Sequence, residues 1–240
     1  MLELHHVEST RGLQDAYQGI YSERPIRHTD SLYRWILNLL RPQPSRTLLD
    51  IACGQGRLPQ LAAQRGLKAY GMDLSAQAVI AGRGRGAQLS VANGQQLPYQ
   101  DASFDYVTSV GSLEHYVDPV EGIEEIARVL VPAGLACILV PNIYSLLGNV
   151  LHAWHTGRTA DDGQPIQRFA ARYEWQDLLQ AHGLVVLRTH KYECEPPTSL
   201  CDLIGYLRRP KALVRLLVTP VLPLNLSNSF VYICIKRQDA

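Results

Sequence analysis

The sequence lacks the cysteine pairs that a disulfide framework or a zinc site needs. Its 240 residues include five cysteines, and no two of them form a CxxC pair: Cys53, Cys137, Cys194, Cys201 and Cys234. An odd number at wide spacing argues against both kinds of site, and we predict no metal centre. We therefore expect a protein of the reducing cytoplasm, in which three of the cysteines are small core residues.

Long apolar runs are also missing. No stretch reaches the ~20 residues of a membrane-spanning helix, and the N-terminal MLELHHVEST lacks the pattern of a signal peptide. The closest run, LVRLLVTPVLPLNL at 213–226, contains Arg215, Pro220 and Pro223. We predict a core helix followed by a turn for it. Contact with a lipid-like acceptor or a membrane surface is the weaker alternative.

The sequence has no excess of one charge. It contains 23 basic and 22 acidic side chains, a formal net charge of +1. Basic residues cluster only mildly, in RGR at 83–85 and RRPK at 208–211. Such a balance gives no long-range attraction to nucleic acid, so a nucleic-acid partner is disfavoured.

Strand and helix patterns alternate through the middle of the chain. Apolar strands are predicted at 46–52, 68–74, 87–93, 104–110 and 134–140. Helices between them are predicted to begin after Ser75, as an N-cap, and at Pro119, in a first turn. This alternation predicts an α/β fold whose parallel sheet is covered by helices on both faces.

We expect residues 1–240 to form a single domain. Four parts are predicted: a helical cap at 1–45, a ligand-binding core at 46–141, an insertion without clear period at 142–170, and the rest of the sheet at 171–240. In the cap, SLYRWILNLL places Leu32, Trp35, Ile36 and Leu39 on one helix face. In the last part, a helix-like stretch lies near 199–217 and a final strand at 230–237.

The stretch LLDIACGQGRLPQLAAQRG at 48–66 joins a strand, an acid, two glycines and a helix. Glycine lets the chain turn sharply and lets a ligand approach the backbone at the end of a parallel strand. A P-loop is excluded, because Arg57 and Leu58 stand where lysine and serine or threonine are needed. A dinucleotide GxGxxG motif is disfavoured, because Pro59 occupies the third glycine position.

A second acid follows at the end of the next strand. Asp73, in YGMDLS, comes 17 residues after Gly56. An acid at this place can accept hydrogen bonds from both hydroxyls of a ribose. The alternative is an ordinary helix-capping aspartate before Ser75.

Five stretches in order carry a resemblance to a known family: LLDIACGQG, GMDLS, NGQQLPYQDASFDYV, SLEHYVDP and RVLVPAGLACILVPN. They resemble the successive motifs of class I S-adenosylmethionine-dependent methyltransferases over residues 45–142. The resemblance is greatest to the type 11 methyltransferase domain, related to quinone-biosynthesis methyltransferases. It implies a doubly wound, mostly parallel, seven-stranded Rossmann-like sheet, with a helical cap and an insertion after the fifth strand. It also implies S-adenosyl-L-methionine as the cofactor.

The resemblance assigns roles to individual residues. Asp50 would lie by the methionine end of the cofactor, and Asp73 would bind the ribose hydroxyls. Asn93 stands where many members have aspartate beside the adenine amino group, and its carbonyl can accept the same hydrogen bond. The other implied cofactor contacts are Gly54 and Gly56 at the amino acid and ribose, Leu74, Gly94 and Gln95 at the adenine, and Val110, Gly111 and Ser112 along the cofactor. Cys53 belongs to the same loop, and we expect no chemistry from it.

Methyl transfer from a sulfonium is an in-line displacement, so the protein mainly aligns the reactants and excludes water. A base is needed only when the acceptor must lose a proton. His115, which follows the fourth strand, is the best candidate base; the alternative is that it lines the pocket or caps a helix. Tyr116, Tyr144 and His152 are further pocket candidates.

The cap and the insertion are expected to select the methyl acceptor. The insertion contains aromatic and basic residues, which favour either an anionic or ring-bearing small molecule or a solvated lid: His152, Trp154, His155, Arg158 and Arg168. The chain has GSLE after the fourth strand and no NPPY-like tetrapeptide. An amino group on a base is thus disfavoured, and an oxygen or carbon acceptor is preferred. A non-catalytic cofactor-binding protein and a methyltransferase of macromolecules remain the alternatives.

Overall fold

The computed structural model describes residues 1–7, 9–23, 28–161, 163–195, 197 and 200–238, without the side chains of 23, 201 and 202. The strands are β1 (Leu2–His5), β2 (Thr47–Ile51), β3 (Lys68–Asp73), β4 (Gln88–Val91), β5 (Phe104–Val110), β6 (Leu130–Pro141), β7 (Ile166–Phe169), β8 (Leu184–Tyr192) and β9 (Ser229–Lys236). The α-helices are α1 (Thr10–Glu23), α2 (Asp30–Leu40), α3 (Arg57–Ala63), α4 (Ala76–Gly82), α5 (Pro119–Val129), α6 (Leu151–Thr156), α7 (Arg172–Ala181), α8 (Leu200–Leu207) and α9 (Pro210–Val218).

Seven strands form one sheet in the order β4-β3-β2-β5-β6-β9-β8. Strands β2 to β6 are parallel to one another, whereas β9 runs antiparallel to both β6 and β8. The chain proceeds from β2 to one edge through β3 and β4, then returns to the other side of β2 at β5. This is the predicted doubly wound, mostly parallel sheet. Its switch point lies between β2 and β5, where ligands bind in such folds.

Alternation along the strands divides the core between the two faces of the sheet. Leu49 and Ile138 belong to the cluster that also contains Trp175 of α7. Their neighbours Leu48 and Cys137 belong to the cluster on the other face, which contains the buried side of α2. Successive side chains of a strand point to opposite faces, so each apolar strand serves both clusters.

Two helix starts follow the predicted capping residues. The Ser75 hydroxyl accepts a hydrogen bond from the Ala78 N–H at 3.3 Å at the start of α4. The Asp118 carboxylate accepts from the Val120 N–H at 2.8 Å, with Pro119 in the first turn of α5. Both contacts satisfy N–H groups that have no partner within the helix.

The predicted buried face of α2 is wrong in part. Leu32 and Ile36 are buried as expected, whereas Trp35 and Leu39 are only partly buried. Tyr33, Leu37 and Leu40 complete the buried face instead. The sequence contains two overlapping apolar stripes, and Trp35 lies at the edge of the stripe that packs on the sheet. Its ring stacks on that of Tyr192, with the two ring centroids 6.0 Å apart.

The cap and the insertion are joined by a small second sheet. Strand β1 pairs antiparallel with β7, Leu2 lying opposite Phe169. The insertion, whose sequence has no clear period, contains α6 and β7. Arg168 of β7 is buried; its guanidinium donates to the Glu3 carboxylate at 2.8 Å and to the Val117 carbonyl at 2.9 Å. This arginine holds the cap, the insertion and the segment after β5 together.

The prediction for 213–226 is correct for the helix and the turn and wrong for burial of the helix in the core. The helix-like stretch near 199–217 consists of two helices, α8 and α9, separated at Arg208–Arg209, because Pro210 lacks the N–H needed to continue α8. None of the nine residues of α9, all of which the structure describes, is buried. Leu222, in the turn that follows, is buried.

Candidate functional site

A cleft of about 350 Å³ lies at the carboxyl ends of the central parallel strands. Ten of the thirteen predicted site residues line it: Cys53, Gly54, Asp73, Leu74, Asn93, Gly94, Val110, Gly111, Ser112 and His115. They come from the loops after β2, β3, β4 and β5, which the switch point brings to one edge of the sheet.

The glycine loop after β2 turns by left-handed backbone conformations. Ala52, Gly54 and Gly56 have φ angles of 56°, 54° and 71°. Glycine adopts this region without cost, whereas at Ala52 it is strained. The Cys53 N–H donates to the Met72 carbonyl at 2.9 Å, which fastens the loop to β3. The turn therefore brings the loop to the cleft, where Gly54 presents backbone without a side chain.

The Asp73 carboxylate connects this loop to α4. One oxygen accepts the Gly54 N–H and the other accepts the Ser75 N–H, each at 2.8 Å. Burial raises the pKa of Asp73, and the backbone N–H groups oppose that change. These N–H groups are those of Ser75, Gly54 and Leu74. A carboxylate has about four acceptor positions, so the backbone does not use all of them. Asp73 thus supports the loop, bonds to the backbone before α4 and lines the cleft, and its binding of a ribose stays a prediction.

Asp50 lies within β2 and is not among the cleft-lining residues, although a place by the methionine end was expected. Only 4% of it is exposed, and the Thr108 hydroxyl donates to its carboxylate at 2.5 Å. The pKa of Asp50 is raised to about 7. Burial is the main cause, the hydrogen bond from Thr108 lowers the pKa, and the nearby Asp73 carboxylate raises it. Near neutral pH this carboxyl is therefore partly protonated.

This raised pKa predicts a pH-dependent stability. Below pH 7 the folded protein holds a proton on Asp50 that the unfolded chain releases above about pH 4. Raising the pH from 4 to 7 therefore favours unfolding. Each unit of difference between the folded and unfolded pKa lowers the free energy of unfolding by about 1.4 kcal/mol. We expect the melting temperature of Asp50→Asn, relative to wild type, to rise by about 3 °C or more between pH 5 and pH 7.5.

The matched control is Asp177→Asn, at an exposed position of α7. Its melting temperature should follow that of wild type at both pH values. A melting difference for Asp50→Asn that stays constant between the two pH values would contradict a proton held on Asp50.

Gly56 and Gln95 also lie outside the cleft lining. A Cβ on Gly56 would come within 2.8 Å of the Leu89 methyl groups. The Gln95 amide donates to Glu121 at 2.9 Å, and its carbonyl accepts the Val117 N–H at 3.1 Å. Both residues therefore pack the loops around the cleft, whereas contacts with ribose and adenine were expected.

His115 lines the cleft from a short 3₁₀ helix, Leu113–His115, and is buried. Its Nδ1 forms a hydrogen bond with the Ile166 carbonyl, which can only accept, so Nδ1 carries the proton. In the neutral ring Nε2 then has a free lone pair, and it lies 3.8 Å from the Glu114 carboxylate. Strand β7 of the insertion thus fixes the tautomer of a ring that can accept a proton.

Several residues that the sequence did not indicate line the same cleft. Tyr17, Tyr21, His28 and Tyr33 come from the cap, Gln164 and Gln167 from the insertion, and Tyr192 from the end of β8. Tyr17 and Tyr21 are four residues apart on α1, and this helical spacing was the one available signal. Tyr116 also lines the cleft, as predicted.

Other expected pocket residues lie elsewhere. Tyr144 is 56% exposed, and His152 is exposed on α6. Trp154, His155 and Arg158 are also exposed, and Arg168 is bound within the fold. Apart from Arg168, these insertion residues are therefore exposed to solvent, and tyrosines line the cleft instead.

Known proteins resemble this chain in sequence and in fold. Residues 49–138 match the family model described as a methyltransferase domain. The 27-O-demethylrifamycin SV methyltransferase of Amycolatopsis mediterranei is 32% identical, over 75% of this chain and 66% of that protein. A ubiquinone biosynthesis O-methyltransferase of Idiomarina loihiensis is 27% identical, over 60% and 58%. A Bos taurus protein named "Probable tRNA methyltransferase 9B" is 31% identical, over 53% and 30%.

The chain spans between 23% and 42% of the length of the first curated relatives that it matches. Among solved structures, an S-adenosylmethionine-dependent methyltransferase from Mesorhizobium loti superposes with a TM-score of 0.63 at 14% identity, over 86% of this chain and 98% of that one. At this identity the likeness concerns the fold.

Proposed function

Because the chain belongs to the class I S-adenosylmethionine-dependent methyltransferases, we propose that it transfers a methyl group from S-adenosylmethionine to a small-molecule acceptor, at oxygen or carbon. One observation carries the proposal. A single cleft is lined both by the glycine loop with Asp73 and by the tyrosines of the cap. A cofactor and an acceptor can therefore meet at one site.

The glycine loop and Asp73 suit the cofactor. Asp73 lines the cleft with a buried carboxylate that can accept from the ribose hydroxyls in addition to the backbone N–H groups. Gly54 and Gly111 present backbone without a Cβ, and the Asn93 side chain offers an amide at the expected adenine position. When bound, S-adenosylmethionine supplies an activated methyl group on a sulfonium leaving group. The protein's part is to hold the two reactants in line and keep water out.

The tyrosines of the cleft suit a small, partly apolar acceptor. Tyr17, Tyr21, Tyr33, Tyr116 and Tyr192 all line it. Burial raises the pKa of Tyr33 and Tyr116, so both hydroxyls remain protonated at neutral pH. Aromatic faces with hydroxyl groups at their edges suit a ring-bearing molecule, and the cavity volume lies in the usual range for such ligands.

His115 is the residue that we assign to proton removal. Its Nδ1 proton is held by the Ile166 carbonyl, so Nε2 is the nitrogen that accepts a proton from the acceptor hydroxyl. The nearby Glu114 carboxylate then stabilises the charged imidazolium. An acceptor carbon that is already nucleophilic would not need this step.

A macromolecular acceptor is the second candidate, because a relative bears the name of a tRNA methyltransferase. The near-neutral net charge of +1 opposes it, since binding to a nucleic acid depends on neutralising phosphates. A tRNA substrate therefore belongs in the test as a direct competitor of the small molecules.

The proposal is tested by calorimetric titration with S-adenosylmethionine and S-adenosylhomocysteine, with NAD as the negative control. We expect micromolar binding of the first two and none of NAD. An acceptor panel then follows: phenols, catechols, hydroxylated quinone precursors and unmodified tRNA, with detection of S-adenosylhomocysteine. Turnover with a phenol or catechol supports the proposal, and turnover with tRNA alone supports the second candidate. Cofactor binding without turnover favours a non-catalytic role. Absence of cofactor binding contradicts both candidate functions.

A further inference from the structure

Two exposed apolar stripes run along the helices between β8 and β9. On α8 the exposed residues are Leu200, Leu203, Ile204 and Leu207, at the spacing of a single helix face. On α9 and the turn after it they are Val214, Leu217 and Val221, of which Leu217 is 68% and Val221 80% exposed. The two helices pack against each other. Monomeric proteins rarely expose so many large apolar side chains together.

Positive charge accompanies these stripes. Arg208, Arg209 and Lys211 lie exposed at the turn between the two helices. The segment 200–226 contains four basic residues and one acidic residue, Asp202. Residues 142–160, which include the exposed α6 with Trp154, contain Arg158 and no acidic residue. The surface is thus apolar and cationic at once.

The same two helices are attached next to the cleft. They connect Tyr192 to Asn228, and both of these residues line the cleft. Lys191 donates to the carbonyls of Thr219 and Leu222 at 2.6 and 2.8 Å, which fastens the end of the connection to β8. The Arg215 guanidinium donates to the Leu147 carbonyl at 2.9 Å and so joins α9 to the segment before α6.

We propose that the exposed stripes of α8 and α9, with the cationic turn between them, form a docking face for the surface of an anionic phospholipid bilayer. Apolar side chains of such a helix enter the boundary between headgroups and acyl chains, while arginine and lysine contact the phosphates. A second copy of the same face would bring like charges together, which disfavours self-association. The docking goes beyond methyl transfer and does not depend on it.

Vesicle flotation of the full chain tests the proposal. We expect the protein to float with phosphatidylcholine vesicles that contain about one third phosphatidylglycerol, and to stay at the bottom with pure phosphatidylcholine. A cation near an anionic surface increases partitioning about fivefold. Replacing Arg208, Arg209 and Lys211 together by glutamine should therefore lower bound protein more than tenfold. High salt should have a similar effect on wild type.

Two further variants separate the apolar contribution. Leu217→Asp should abolish flotation, whereas Leu187→Asp, a matched exposed leucine of β8, should float like wild type. Because these positions are exposed, we expect all variants to fold. Thermal melts check this.

Three results would overturn the proposal. One is wild-type protein that remains at the bottom with every vesicle. Another is equal flotation with neutral and anionic vesicles. The third is a dimer in sedimentation velocity that Leu217→Asp converts to monomer without any flotation of wild type, since a second copy of the chain would then cover the face.

Discussion

Asparagine in place of Asp73 should weaken the binding of S-adenosylhomocysteine about 100-fold or more. Both carboxylate oxygens accept backbone N–H groups, from Gly54 and from Ser75. An asparagine can offer one oxygen only, so its amide NH₂ must face one of these donors. A hydrogen bond to a charged group contributes about 1.5–3 kcal/mol. Loss of the hydrogen bonds between the carboxylate and the ribose hydroxyls, about 3 kcal/mol in all, corresponds to the stated factor. Calorimetry measures the dissociation constant.

The control for this variant is Asp177→Asn, which removes a charge from an exposed position of α7. A second comparison separates ribose binding from support of the loop. Wild type should bind a 2′,3′-dideoxy analogue of the cofactor product more weakly than the product itself, whereas Asp73→Asn should bind both equally. Wild-type affinity in Asp73→Asn, or discrimination that survives the substitution, would contradict a direct contact with the ribose.

Loss of the imidazole at position 115 should slow methyl transfer about 100-fold or more while changing cofactor affinity less than about threefold. The Nδ1 of His115 is occupied by the Ile166 carbonyl, and only Nε2 is left to accept a proton. His115→Asn is the sharper variant, because its amide can still donate to that carbonyl but offers no base. Single-turnover rates with any hydroxylated acceptor from the panel, measured across pH, provide the readout. The acid limb of the profile should disappear.

His182→Ala serves as the control, since His182 lies at the end of α7 and bonds the Glu124 carboxylate at 3.0 Å, away from the cleft lining. Its rate and pH profile should equal those of wild type. Equal losses of rate and cofactor affinity in His115→Asn would assign the histidine to the pocket wall. An unchanged rate would indicate an acceptor that needs no base.

Much of the central sheet could be predicted because its signals are local. Apolar runs such as FDYVTSV end at glycine, and β5 begins and ends within the predicted range of 104–110. Parallel strands then place their carboxyl ends together, so the loop residues Gly54, Asp73 and Asn93 converge without further information. This topological rule is why ten of the predicted site residues line one cleft.

The remaining features depend on tertiary contacts that a local pattern does not contain. Strands β1 and β7 have four residues each and lie more than 150 residues apart, so neither predicts its partner. The direction of the Gln95 side chain, toward Glu121, follows from packing and not from its place after β4. The apolar residues of 213–226 predict a buried helix, yet the same residues also fit a helix whose apolar side faces outward.

The pairing of β1 with β7 has a consequence for how the site is held. Ile166, whose carbonyl accepts the Nδ1–H of His115, lies opposite His5 in this small sheet. Asp73 is instead held by the seven-stranded sheet and the glycine loop. The ring proposed for proton removal and the carboxylate proposed for the cofactor are therefore oriented by two separate sheets.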